Sequence, residues 1–516
     1  MGNWPDTIPA VARRAAERWP DKTALIVGEQ SWTFAQLWAD ARATASAMLA
    51  SGVGHGGRVA IWAPNSREWI LAALGAQIAG AAIIPLNTRF KGEEAGDILR
   101  RSHARLVFTP SQFLGTDYRA LIAGQDLPDL ADVIHTDTGF AEFLARGRGA
   151  DDPAVDAALA RLSGDDVCDI IFTSGTTGRP KGVVSSHRQT VQSFGDWVTR
   201  VGLRHSDVYL IVSPFFHTFG YKAGWLNGLI AGATILPMAV FNVAEVVRLV
   251  EQHRITFLPG PPTIYLSLLH ELAGDKPRDF SSLRVAVTGS APVAPALVER
   301  MRGELGIERV VNGYGMTEFG VISMTGQDDD AQTIANTCGT PMPGVEVQCV
   351  DEAGHPVPTG TEGEFWVRGY AVMQGYLDDP EATAQAITPD GWLRTGDIGI
   401  IDARGYLAIT DRKKDMFISG GFNCYPAEIE KLLAGHPAIE TAAVIGVPDE
   451  RMGEVGQAFV ILRPGATADE PAIIAWAREH MANYKVPRRV IFVESLPRNE
   501  AGKVLRPALL ALAAQG

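Results

Sequence analysis

Asp169-Ile170-Ile171-Phe172-Thr173-Ser174-Gly175-Thr176-Thr177-Gly178-Arg179-Pro180-Lys181-Gly182 is the stretch on which the reading of this chain turns. A short apolar run, strand-like in character, opens into four hydroxyl side chains, three glycines and one lysine. Glycines let a backbone turn tightly and bring its N–H groups close to an anion, and hydroxyls add donors. A loop of this kind after a strand suits a polyphosphate. It is not a Walker A loop, because that pattern needs glycine immediately before the lysine and Pro180 stands there.

Outward from the loop, helix-period segments alternate with short β-branched runs. Thr33–Ala50 carries Phe34, Leu37, Ala41, Ala45 and Met48 at helical spacing, and Ser66–Ala79, Glu93–Ser102 and His187–Arg200 repeat the pattern. Runs 58–62, 81–86, 105–109, 208–212, 233–237 and 283–288 predict strands between them, with 255–258 as a further strand and 220–230 as one helix. This rhythm predicts α/β layers with largely parallel sheets. The Ala-, Asp- and Gly-rich segment 147–165 reads as a bridge into the loop. From Gly344 the texture changes to short strands separated by turns, which predicts a small antiparallel unit closing a large domain. Asp411-Arg412-Lys413-Lys414-Asp415 marks the domain boundary, and a compact α+β unit of about a hundred residues follows.

Bulk properties bound the function. A chain of 516 residues exceeds one ordinary core, and a net charge of −13 argues against nucleic acid as the main partner. From Arg412 onward, 13 Lys/Arg face 12 Asp/Glu, leaving 33 against 47 before it, so the C-terminal part is the less acidic. Cys168, Cys338, Cys349 and Cys424 form no C-x-x-C pair and read as reduced thiols. The N-terminus lacks a basic segment leading into an apolar one, and the apolar runs 70–86 and 225–241 are short and broken by Gly and Pro. A cytoplasmic protein without stable membrane insertion is expected.

Four further motifs carry chemistry. Asn312-Gly313-Tyr314-Gly315-Met316-Thr317-Glu318 joins an aromatic face to a hard oxygen ligand, although locally it reads as a strand–turn–helix join. Trp392-Leu393-Arg394-Thr395-Gly396-Asp397 ends in a carboxylate able to accept from a diol. Ser213-Pro214-Phe215-Phe216-His217-Thr218-Phe219-Gly220 sets one histidine among three phenylalanines. Pro497-Arg498-Asn499-Glu500-Ala501-Gly502-Lys503-Val504-Leu505-Arg506 places a lysine after a turn near the C-terminus.

Together with the loop, these motifs resemble, in order, those of the adenylate-forming superfamily: acyl-CoA synthetases, peptide-synthetase adenylation domains and luciferases. The resemblance spans Thr173 to Arg506. It implies a large N-terminal domain (1–411) of layered α/β sheets with a small β-barrel-like unit, and a small mobile α+β domain (412–516) hinged at 411–415. It implies an acid–thiol ligase that makes acyl-AMP and pyrophosphate from ATP, then passes the acyl group to CoA. Thr173, Ser174, Gly175, Thr176, Thr177, Gly178 and Lys181 are expected on the phosphates, with Thr173 and Glu318 on Mg²⁺. Gly289, Ser290, Ala291, Asn312, Gly313, Tyr314, Gly315, Met316 and Thr317 are expected around the nucleotide, and Asp397 with Arg412 on the ribose. His217 would gate the acyl pocket, Lys503 would serve adenylation, Lys414 would be the hinge, and the loop with Gly420 and Gly421 would reach the thiol tunnel. Arg451, Lys485, Arg488 and Arg489 are candidates for the CoA phosphates.

Peptide-synthetase domains place an aspartate near the histidine to pair with an α-amino group; none lies between Ser213 and Gly220, so the expected acid has no amino group. Segments 85–89, 215–224 and 253–265 resemble the branch that activates the bicyclic indanedione propionate left after steroid rings A and B are degraded. Medium- or long-chain fatty acids are the alternative within the class, as is an acyl-AMP ligase loading a carrier protein. A luciferase-like oxygenase and a non-catalytic nucleotide-binding protein are the distant ones. Oligomeric state is open, a homodimer included.

Overall fold

In the computed structural model, residues 2–173, 179–274, 277–289, 293, 295–412, 416–497, 504 and 506–514 are described. Ser174, Gly175, Thr176, Thr177, Gly178, Ser290, Ala291, Lys414 and Lys503 therefore lie outside the described residues, and for Arg412 only the backbone is described.

Helices begin where side chains can cap them. Thr33 and Gln36 form a capping box ahead of Phe34–Ala50, whose apolar stripe Phe34, Leu37, Ala41, Ala45 and Met48 is buried. Ser66 caps Arg67–Ile78, which is buried on nearly every side, so this helix runs through the core rather than over it. Segment 147–165, expected as a bridge, contains the helix Pro153–Arg161, capped by Asp152 with Pro153 in its first turn.

Three sheets build most of the large domain. The first runs, in spatial order, Gly375–Tyr376, Lys181–Ser186, Val167–Thr173, Ala82–Pro85, Arg58–Ile61, Leu106–Thr109 and Asp132–His135, parallel except at its first two pairings. The second holds Val208–Ile211, Thr234–Pro237, Thr23–Val27 and Gln30–Thr33. The third holds Val285–Gly289, Arg309–Met316, Gly320–Met324 and Thr340–Pro341. The strand expected at 255–258 shrinks to one residue: Phe257 alone bridges Tyr209 to Val285 and links the second sheet to the third. An antiparallel sheet of Val345–Val350, Gly363–Gly369, Leu393–Ile401 and Leu407–Arg412 closes the domain, as the turn-rich texture predicts.

The small domain has its own core, with Phe417, Ile429, Val444, Val460, Ile473 and Val486 buried together. Its sheet orders Phe422–Cys424, Phe417–Ser419, Gly453–Leu462 and Ile439–Asp449, with Arg489–Phe492 beside Gly453–Leu462.

Candidate active site

The decisive loop connects two antiparallel strands of the first sheet. Thr173 ends one strand, Lys181 begins the next, and the two residues face each other in register. Beside them runs the two-residue strand Gly375–Tyr376, with Tyr376 opposite Val183. Its phenol donates to Glu318 Oε1 at 3.0 Å, and Lys181 Nζ lies 5.1 Å from its ring centroid. Burial, then the charge of Glu318, pushes the Tyr376 phenol up, so it stays a donor. Tyr376 thus gathers the loop lysine and the carboxylate expected on the metal. No local pattern in Met373-Gln374-Gly375-Tyr376 signals this role, because the partners are distant in sequence. An open concavity of about 590 Å³ also borders Tyr376, lined by Gln374, Asp378, Asp379 and Thr383, outside the expected acyl site.

The motif 312–318 is a strand that turns into the antiparallel strand Gly320–Met324, not a strand–turn–helix join. A Cβ on Gly315 would sit 2.1 Å from the Gly320 carbonyl, so that turn requires glycine. Gly289 and Gly313 pair across adjacent parallel strands. The Asn312 amide donates to the Ile334 and Thr337 carbonyls at 3.2 and 2.9 Å, so it holds the strand in place. Tyr314, 7% exposed, donates to Asp397 Oδ2 at 2.6 Å, tying the aromatic residue expected at adenine to the carboxylate expected at ribose. Asp397 lies inside the long strand Leu393–Ile401, where a β-turn was the local alternative, and pairs in register with Arg412.

His217 caps the three-residue helix Thr218–Gly220, its Nδ1 accepting the Phe219 N–H at 3.3 Å. His217 is solvent-exposed, yet the protein packed around it removes enough hydration to lower its pKa, so it is neutral at pH 7. Ahead of it, the Phe215 N–H donates to Asn65 Oδ1 at 2.6 Å and Asn65 Nδ2 donates to the Ser213 carbonyl at 2.9 Å. The helix expected over 220–230 is broken. A π-turn spans Tyr221–Leu226 with Gly224 off helical geometry, and a short α-helix, Asn227–Ala231, follows. Inside the π-turn, Lys222 Nζ lies 3.0 Å from Asp169 Oδ2, the two side chains 4% and 0% exposed. Asp169 is on the strand that ends at Thr173, so this ion pair fixes the histidine segment to the strand carrying the loop.

Gly420 and Gly421 take φ of +58° and +83° between Phe417–Ser419 and Phe422–Cys424, a left-handed pair that glycine accepts without strain. This hairpin sets Phe422 against Phe216 (centroids 6.5 Å apart), with Tyr484 stacked on its other side at 4.5 Å. Of the candidates for the CoA phosphates, Lys485 is withdrawn. It is 3% exposed and bonded to Glu94 and Glu428 at 2.8 and 2.7 Å. Arg489 lies 3.3 Å from Glu470.

Lys181 and Glu318 gathered on Tyr376, a Tyr314–Asp397 pair and a histidine segment, arranged on layered α/β sheets, are the features of an adenylate-forming enzyme. The chain belongs to the AMP-binding enzyme family: that family's model matches residues 12–377, and the model of the AMP-binding enzyme C-terminal domain matches residues 428–503. It is similar to the 3-[(3aS,4S,7aS)-7a-methyl-1,5-dioxo-octahydro-1H-inden-4-yl]propanoyl:CoA ligases of Mycobacterium tuberculosis and Rhodococcus jostii. Identity is 49% over 98% of this chain and 99% of the first, and 48% over 99% of each for the second. Among solved structures, the o-succinylbenzoate CoA synthetase of Bacillus subtilis, bound to a product analogue, superposes with a TM-score of 0.82. It is 28% identical over 97% of this chain and 98% of that one. The chain is an AMP-forming acyl-CoA ligase, with ATP, CoA and a small carboxylic acid as its substrates. No helix among the described residues is long and apolar enough to cross a membrane.

Proposed function

We propose that the acid is the bicyclic indanedione propionate of steroid ring degradation. What carries the reading is identity of 49% and 48% sustained end to end with two ligases named for that acyl group. In the first step a carboxylate oxygen of the acid attacks the α-phosphorus of ATP, and the bond to pyrophosphate breaks. In the second, the CoA sulfur attacks the acyl carbon, the bond to AMP breaks, and the thiol proton leaves to solvent.

The loop 173–178 and Lys181 hold the β- and γ-phosphates, Asp397 accepts from the ribose hydroxyls, and Arg412 helps to order the ribose as a donor. Neutral His217 closes the acyl pocket from the nucleotide. Lys503 stabilises charge between the carboxylate and the α-phosphate in the first step. No group of three or more His, Cys, Asp or Glu among the described residues is arranged for a metal. Glu318 with the Thr173 hydroxyl fits Mg²⁺, which takes few protein ligands and completes its shell with water and phosphate oxygens. Bound there, the ion would neutralise phosphate charge. The small domain begins at 412 and rotates about Lys414 between the two steps. That boundary falls between the two matched segments, which end at 377 and begin at 428. A cytoplasmic enzyme is in keeping with four free cysteines.

The test is AMP and pyrophosphate release with ATP, Mg²⁺ and CoA across the bicyclic acid, C6–C16 fatty acids, benzoates and amino acids. Turnover confined to the bicyclic acid is expected, with Lys503→Ala slowing acyl-AMP formation by about a hundredfold or more, the scale of losing one preorganised charge-stabilising group. A preference for straight-chain acids rejects the substrate and leaves the ligase mechanism standing.

A further inference from the structure

One polar cluster lies outside everything assigned so far, at the seam between the domains. Glu94 is in the first turn of the large-domain helix Gly92–Arg101, where its Oε2 accepts the Lys91 N–H at 2.9 Å. That local bond holds the carboxylate at the helix start whatever the small domain does. Its Oε1 accepts from Lys485 Nζ at 2.8 Å, and the same ammonium donates to Glu428 Oε1 at 2.7 Å. Glu428 belongs to the small-domain helix Pro426–Leu433, so Lys485 keeps that partner in any orientation of the domains. Glu94 is the partner it has only when docked. Around the ammonium the seam is closed: Asn87 Nδ2 donates to the Tyr484 hydroxyl at 3.1 Å, and the Phe90 ring lies 4.9 Å from Lys485 Nζ. The Arg89 guanidinium sits 5.5 Å over Phe422.

This docked orientation sets the Gly420-Gly421 hairpin against Phe216, the neighbour of His217. We propose that Glu94 and Lys485 form an electrostatic latch that holds the small domain in the orientation serving thiol attack, making both positioning residues for the second half-reaction. The proposal rests on the domain-rotation reading above. Neither residue touches a reacting atom. Both regain water when the seam opens, so the latch biases an equilibrium and does not trap the enzyme.

The test uses the full-length enzyme with donor and acceptor dyes on the two domains. Beside it run two rate measurements with the bicyclic acid, and with octanoate as a second acid. Acid-dependent pyrophosphate exchange reports adenylation, and single-turnover transfer from preformed acyl-AMP to CoA reports the thiol step. Glu94→Gln keeps an acceptor for Lys91 and removes only the charge facing Lys485. It should shift the interdomain distance toward the open form, slow thiol transfer about tenfold, and leave pyrophosphate exchange within about twofold. Lys485→Met should do the same, with KM for CoA unchanged. Equal slowing of both steps, or no change in distance, overturns the latch. A wild-type distance that stays fixed between the free enzyme and the acyl-AMP state overturns the rotation on which the latch depends, and is read without either variant.

Discussion

Two buried lysines do opposite work in this molecule. Lys222 meets Asp169 inside the large domain, both partners belonging to that one domain and both buried. Lys485 is as deeply covered, 3% against 4% exposed, but Glu94 and Phe90, which help cover it, come from another domain. Burial works against its charge, yet Tyr484, Glu428 and Glu94 outweigh it and hold its pKa well above that of an ordinary lysine. Equal burial therefore carries different meanings. A charge sealed within one core fixes a fold, whereas a charge sealed at a seam fixes an orientation, because separating the domains rehydrates it.

The sharpest way to break this contrast is Lys222→Ala. It leaves Asp169 ionised with no counter-charge in a site closed to water, which should cost about 3–5 kcal/mol of large-domain stability. Denaturant unfolding checks it, with Lys485→Met as the reference. That variant should lower the large-domain unfolding midpoint far less, since Glu94 can hydrate by undocking and Glu428, which also loses this ammonium, belongs to the small domain. Comparable losses would show that the seam does not open and that the two lysines are equivalent.

The Lys222 side of the comparison also has a pH signature. His187 is fully buried nearby, and burial pushes its imidazole down to about 3, with the charge of Asp166 opposing and that of Lys222 assisting. The unfolded chain takes up a proton below about 6.5, and the folded chain does not until about 3. Stability from this residue is therefore complete above pH 6.5 and declines as pH falls toward 3, at up to about 1.4 kcal/mol per pH unit. Unfolding followed from pH 7 to pH 5 should show that slope, and His187→Leu should flatten it while lowering stability at pH 7 through the lost Ile8 N–H bond. A slope unchanged in His187→Leu would assign the acid sensitivity elsewhere.

What was legible in sequence divides along the same line. Local signals survive folding: Thr33 and Ser66 cap the helices they precede, and Gly420-Gly421 turns where two glycines permit it. The class of chemistry was legible too, since phosphate-directed residues cluster within short motifs. Relations between distant residues were not. Tyr376 beside Glu318, Lys222 against Asp169 and Glu94 against Lys485 are separated by 58, 53 and 391 residues, and no periodicity encodes such pairs. Lys485 also shows why charge alone misleads. A lysine near a basic run reads as a phosphate ligand until its burial and two carboxylates are seen. The helix over 220–230 failed for a different reason. Its composition is helical, but the segment widens into a π-turn over Tyr221–Leu226, with Gly224 off helical geometry and Lys222 inside it paired to Asp169, a partner 53 residues away that the local pattern does not contain.

The finest test of the seam is Tyr484→Phe. The substitution keeps the ring that stacks on Phe422 and removes only the hydroxyl that accepts from Asn87 Nδ2. Within one core, the loss would appear as global destabilisation of about 1 kcal/mol, with the Asn87 amide left buried and unpaired. At a seam the amide can meet water instead, so the same loss should appear as a few-fold increase in the open population by interdomain distance. The unfolding midpoint of the large domain should not move, because Asn87 Oδ1 remains bonded to the Arg89 N–H and its carbonyl to Trp62 Nε1. An unchanged distance distribution together with a lowered midpoint would mean that Asn87 and Tyr484 belong to one rigid body. The contrast between the two lysines would then be one of location only.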